Sequence, residues 1–272
     1  MIQELPFFSL WANRNLIRRL TKRAIHDRYQ GSLLGVFWSL LNPMIMIAVY
    51  TFVFSIVFKA KWSTDGGSGQ DSNMHFAVIL FCGLIVHSFF SEVLIKSPNL
   101  ITTNVSYVKK IVFPIEVIVV VTICESIFYA LINFAVLMVV LILVSDDPFK
   151  MQILFAPVVF LPLIILSLGV GWILSSLGVF IRDINQTTGI LSSMLLFMSP
   201  VFFPLSALPK NFQTLVKCNP LTFIIEQLRA VVIFGNSPDW LGLTVYTGVA
   251  IGVLIIGFSC FQLTRKGFAD VL

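Results

Sequence analysis

Glu92, Glu116, Glu125, Glu226, Arg229 and the Arg182–Asp183 pair are the residues of this chain best placed to do chemistry, because each lies in or beside a long apolar run. An ionisable side chain in hydrocarbon costs a few kcal/mol or more, so it is retained where it faces a partner, a wet cavity or the membrane surface. Glu92 and Glu116 stand near the ends of apolar runs, where solvation or a local salt bridge accounts for them. Glu125 lies well inside its run, with Asn133 eight residues on, so both share a helix face and point to a polar path. Glu226 and Arg229 are three residues apart and therefore neighbours on a helix. They make either an ion pair or part of a gate. Arg182–Asp183 reads as an anchor that closes a run.

Other chemistries find little support. His26, His75 and His87 share no spacing, and Cys82, Cys124, Cys218 and Cys260 form no CxxC, so neither a metal site nor a disulfide framework is expected. Asp146–Asp147 lacks the spaced partner of an aspartate-rich prenyl-phosphate enzyme. There is no GxxxxGK[ST], so the sequence carries no ATP-binding loop of that kind. The expectation is a chain that is not itself an enzyme and binds no cofactor.

The elements that must position these residues are membrane helices. Hydrophobic residues make up 57% and charged ones 11%, against the roughly 25% charge of soluble domains. Together with a mean hydropathy of +0.95, this leaves no room for a sizeable soluble domain. The net charge of +5 comes from cations at the ends of apolar runs, a pattern of membrane topology rather than of nucleic-acid binding. Residues 1–12 lack the positive segment and cleavage site of a cleavable signal.

From Gly31 to Phe58 the chain is uncharged, longer than the ~20 residues a spanning helix needs. The fold class expected is all-α integral membrane. Six transmembrane helices fall at about 36–58, 76–95, 115–144, 153–181, 184–203 and 241–263, with Pro157, Pro162, Gly169 and Gly171 as distortions of the fourth. Residues 1–30 form an amphipathic interface helix, 31–264 the transmembrane domain and 265–272 a tail. Leu16, Ile17, Leu20 and Ala24 share one face of the first helix at helical periodicity. Arg14, Arg18, Arg19, Lys22 and Arg23 cover the other, with Arg28 at its end, and these cations suit anionic lipid headgroups. The apolar stretch Leu221–Phe234 is short for a span and interrupted by Glu226 and Arg229, so residues 205–234 read as a re-entrant exoplasmic hairpin between the fifth and sixth spans. With both termini cytoplasmic, 12 of the 18 basic residues fall inside and 6 outside, as the positive-inside bias requires. The 104–111 stretch is expected to add a short helix to the loop after the second span. Phe197, Phe202, Phe203 and Phe212 flank the hairpin and are candidates to stack on sugar faces along a channel.

These residues also carry a resemblance. RYQGSLLGVFWSLLNPMIMIAVYTFVF resembles the approach to the first span of type-2 ABC exporter permeases for polysaccharides. NLITTNVSYVKKIVFPIEV, FIRDINQ and SPVFFPLSALP leading into NPLTFIIEQLRAVVIFG follow in the family's order. The resemblance implies a homodimer around a channel, two copies of a separate ATPase subunit holding ATP and Mg, and a lipid-linked glycan as cargo. It implies ATPase contact through the N-terminal helix and through Asn99, Leu100, Val108, Lys109, Lys110 and Phe113. It also implies that the hairpin after the fifth span, which carries Glu226 and Arg229, forms the exoplasmic gate, in a bacterial inner membrane. Ile115 departs from the pattern, because a basic residue is common there. A drug or small-lipid exporter, a membrane-embedded sugar transferase and an ion-coupled transporter are the competing readings. The last two would carry more polar residues than this chain does.

Overall fold

The computed structural model describes residues 11–53, 73–108, 113–144 and 150–271. Regular structure among the described residues is helical throughout. Helix α1, Arg14–Asp27, buries none of its residues fully. Its apolar side chains Leu16, Ile17, Leu20 and Ala24 are half-buried, whereas Arg14, Arg18, Arg19, Lys22 and Arg23 are exposed. That division is the amphipathic pattern made physical.

The chain then turns through Gly31 (φ +84°) and Gly35 (φ +51°), conformations that cost an L side chain roughly 1–2 kcal/mol. Helix α2, Trp38–Tyr50, follows and continues as a π-type turn through Thr51–Val53. Its described part, Trp38–Val53, is apolar, and residues 54–58 of the expected first span lie outside the described residues.

Among the described residues, four helical stretches are long and apolar enough to cross a membrane: Phe76–Asn99, Val117–Val144, Met151–Phe180 and Trp240–Phe268. Their helices are α3 (Asn73–Lys96), α5 (Val117–Val144), α6 (Ala156–Phe180) and α10 (Trp240–Val271), while α4 (Val105–Val108) is a single turn in the loop after α3. Only α3 is central. Some 78% of its apolar window is buried, against 28–39% for the other three.

Helix α6 runs without a break through all four residues expected to distort it. Pro157 occupies the first turn, where its missing N–H is no loss. The glycines are contact points: a Cβ on Gly169 would lie 2.7 Å from the backbone of Leu254, and one on Gly171 would lie 2.9 Å from Val119. This close approach makes α6 and α10 the most extensive helix pair, as small residues do in membranes.

Helix α7, Ile184–Phe197, covers about 21 Å at 1.5 Å per residue, short of the ~30 Å hydrocarbon core. It stops ahead of Pro200, which disfavours helix at the residue before it, and 198–203 form turns.

The stretch after α7 holds α8 (Lys210–Lys217) and α9 (Pro220–Arg229), and α9 continues as a π-helical turn, Ala230–Phe234. Gly235 ends that turn at φ +69°. The core places α9 in the bundle rather than on its surface. Leu221, Ile224, Ile225 and Leu228 are buried with Ile79, Leu80, Leu163 and Leu166 of α3 and α6. A second, smaller core gathers Ile101, Ile118, Trp172, Phe258 and Phe261 around the loop after α3.

Candidate functional site

Two polar sites are built onto α3, one near each end. The first is a four-charge cluster. Arg28, just beyond α1, pairs with Glu92 of α3 and stands 3.7 Å from Glu125 of α5. Lys96 Nζ lies 2.9 Å from both Glu92 Oε1 and Glu125 Oε1. The Arg28 guanidinium also sits 4.1 Å from the ring centroid of Tyr129, a cation–π contact. Burial works against the Arg28 charge, yet the adjacent Glu92 carboxylate holds its pKa above the ordinary arginine value.

Glu125, expected on a polar path deep in the third span, has its carboxylate taken up by these cations. The 28 residues of α5 measure about 42 Å, so the helix outruns the hydrocarbon. Glu125 is eight residues from its start, about 12 Å along the axis, beside the last turn of α3. Arg28, expected to face lipid headgroups, is likewise turned to carboxylates. Farther along, Arg265 of α10 meets Glu116 at 3.2 Å, and the Trp172 indole donates to the Glu116 carbonyl at 3.3 Å.

The second site is a clamp made by Arg229 at the end of α9. The residue is 3% exposed. Its guanidinium donates to the carbonyls of Ile79 (2.9 Å), Pro200 and Val201 (2.9 Å). The Asn219 amide donates to the carbonyls of Leu195 and Met198, both at 3.1 Å, and its oxygen caps Leu221 N at 2.9 Å. Carbonyls left without partners by the end of α7 are thus met by side chains of the following segment. Gly83 makes room for this, since a Cβ there would fall 2.7 Å from Arg229 Nη2. Arg229 therefore ties three segments through backbone carbonyls, while Glu226, its expected helical neighbour, is half-buried.

The remaining expected residues are distributed more loosely. Asn99 Oδ1 accepts from Asn185 Nδ2 at 2.6 Å, fastening the loop after α3 to the start of α7. Leu100 and Phe113 pack on the smaller core, and Phe113 stacks on Tyr107 at 4.6 Å. Val108 is the last described residue of α4, and Lys109 and Lys110 lie outside the described residues. Phe197, 69% exposed, stacks with Phe202 at 5.9 Å. Phe203 is half-buried and Phe212 is exposed. Between α5 and α6 opens a cavity of about 730 Å³ with apolar walls such as Phe134, Met138, Leu154 and Phe160. Its lining suits hydrocarbon rather than sugar.

Sequence reading missed a further tie: buried His87 meets the Ser192 carbonyl at 3.1 Å, and Ser91 bonds Ser192, joining α3 to α7. His87 and Ser91 are four residues apart on one helix face, which was the available signal. Among the described residues no three His, Cys, Asp or Glu gather as a metal site.

The described residues thus form apolar helices tied by buried polar contacts, with cations along one surface helix. The sequence profile of the ABC-2 type transporter family matches residues 15–233. The chain belongs to that family.

Among curated relatives, the chain is similar to the O-antigen export system permease protein RfbA of Klebsiella pneumoniae. They are 24% identical over 259 residues, 95% of each chain. It is also 24% identical to the protein of that name in Myxococcus xanthus over 263 residues, 96% of each. The polysialic acid transport protein KpsM of Escherichia coli is 25% identical over 252 residues, 92% of this chain and 93% of that one. As a member of the ABC-2 transporter family with four long apolar helices among the described residues, this protein is a multi-pass membrane protein.

Proposed function

We propose that this chain is the channel-forming subunit of an ATP-driven exporter that moves an undecaprenyl-pyrophosphate-linked polysaccharide, O-antigen first, across the bacterial inner membrane. The observation that carries this reading is the end-to-end similarity to permeases named for O-antigen export. Two copies would enclose the channel. In support, α2 and α7 expose Met44, Ile45, Val49, Ile190, Met194 and Phe197, apolar surface suited to a second copy or lipid.

ATP chemistry would reside in a separate partner, docked against α1 and the loop after α3. The exposed cations Arg14, Arg18, Arg19, Lys22 and Arg23 would draw the pyrophosphate headgroup to the inner leaflet, where each basic residue near an anionic surface adds about 1 kcal/mol. Six spans with both termini inside, and α8–α9 as a re-entrant gate on the outer side, complete the topology.

Deletion of the gene, followed by analysis of surface and intracellular glycan, tests the cargo. Intracellular build-up of undecaprenyl-linked polymer supports it, and normal surface glycan defeats it. The similarity to a polysialic acid transporter favours capsule as the second reading, so O-antigen and capsule are to be scored separately. Topology is testable with the native thiols, because Cys218 between α8 and α9 is exposed while Cys82 is buried. Labelling of Cys218 by an impermeant maleimide added outside intact spheroplasts supports the outer hairpin. Labelling only after lysis rejects it.

A further inference from the structure

We propose that Arg28, Glu92, Lys96 and Glu125 form the joint through which movement of α1 is passed to α3 and α5. The inference rests on the reading of this chain as a permease driven by an ATPase docked near α1. Four observations carry it.

First, α1 buries no residue fully, so its attachment to the bundle relies on a half-buried face against α5 and on the contacts at its C-terminal end. Second, those contacts are specific: Arg28 reaches Glu92 and Glu125 and covers Tyr129, while Lys96 holds both carboxylates at 2.9 Å. Tyr29 adds an edge-on ring contact to Tyr129 at 6.1 Å. Third, Gly31 and Gly35 follow at positive φ with nothing within 4 Å of a built Cβ. A left-handed, unpacked pair of glycines between α1 and α2 is a place where the chain can bend. Fourth, α3 links the cluster to the hairpin clamp. Glu92 lies 13 residues after Ile79, whose carbonyl Arg229 holds, a separation of about 20 Å along one buried helix.

A shift of α1 therefore acts on a rod whose other end grips α9 and the turn after α7. Two alternatives are weaker. The cluster is no phosphate site, since two carboxylates answer its two cations. Nor is it a sealed ion-pair core: the Glu92 and Glu125 side chains are 15% and 9% exposed, but the Arg28 and Lys96 side chains that hold them are 41% and 34% exposed, and charges open to water are screened. Such contacts can part and reform. The Tyr129 hydroxyl, one turn from Glu125 on α5, is buried without a partner among the described residues, and offers a donor to a second arrangement.

The test uses the assembled permease–ATPase complex in membranes and scores glycan exported per ATP hydrolysed. Arg28→Glu places a third carboxylate in the cluster and is expected to lower that ratio by about tenfold or more, within the range of coupling energies for contacting residues. Arg28→Glu with Glu92→Arg restores the charge pattern and is expected to recover most of the ratio. A double variant no better than the single one overturns the proposal. So does a single variant that exports normally, or one in which export and ATP hydrolysis fall in proportion to the amount of protein, which is the signature of mere misfolding. If deletion of the gene leaves every surface glycan intact, the cargo reading fails separately. The joint is then judged by whether Arg28→Glu changes the partner's ATP hydrolysis in the complex at equal protein level, and no change overturns it.

Discussion

Arg28 and Arg229 are both held at α3, one near each end, yet one is set among carboxylates and the other among carbonyls. Arg229 is 3% exposed and donates to three backbone oxygens, whereas the Arg28 side chain is 41% exposed and shares two carboxylates with Lys96. Carbonyl acceptors cannot swing away without unfolding their segments, so a guanidinium among them is a fixed rivet. Carboxylates ride on rotatable side chains, so a guanidinium among them is a contact that can exchange partners. The same side chain thus gives a rigid clamp at one end of the helix and an adjustable joint at the other.

The largest test of this contrast is Arg229→Ala. It strips the donors from buried Pro200 and Val201 carbonyls, and hydrogen bonds to a charged group are worth about 1.5–3 kcal/mol each. A loss on the order of 3 kcal/mol or more is expected, seen as a collapse of membrane-inserted protein and of melting temperature in detergent. Arg229→Lys should rescue only part of it, because an ammonium lacks the planar fork. If Arg229→Ala is as stable as the parent, the clamp is not a clamp.

Gly83→Ala comes next, because its Cβ would fall 2.7 Å from Arg229 Nη2. Overpacking of this kind costs about 1–3 kcal/mol. The penalty should shrink when combined with Arg229→Ala, and strict additivity of the two would contradict the contact.

At the other end, Arg28→Gln is expected to change melting stability by no more than about 1 kcal/mol, as partly exposed pairs do. A loss matching that of Arg229→Ala would erase the distinction between the two ends. Smallest of all is Tyr129→Phe. It keeps the ring beneath Arg28 and removes a hydroxyl that has no partner among the described residues. Stability should hold within about 0.5 kcal/mol, and a larger loss would show that the hydroxyl already has a partner.

Much of the scaffold was legible from the sequence. The cationic and apolar faces of α1 followed from 3.6-residue periodicity, and the long apolar runs marked α3, α5, α6 and α10. What hydropathy could not show is which span is central, because burial in protein and burial in lipid call for the same residues. Gly169 and Gly171 were expected as distortions of α6, and their close approach to Leu254 and Val119 was not legible, since sequence alone does not distinguish a flexible glycine from one selected for close approach. Glu125 was placed along its own run, and its pairing with Arg28 and Lys96 depends on how α5 and α3 are staggered, which the sequence does not carry. Arg229 was matched to Glu226 by helical spacing. Its carbonyl acceptors leave no trace in sequence, because every residue carries one.

The backbone approach of α6 and α10 at Gly169 and Leu254 has a consequence for the order in which the molecule is made. The two helices are separated by residues 181–239, which hold α7, α8 and α9. At about 5–20 residues per second, α6 waits some seconds for its partner, with its glycine face open to lipid or to an insertion factor. The bundle therefore closes only when the last helix arrives, and a chain truncated before Trp240 would leave that seam unsealed.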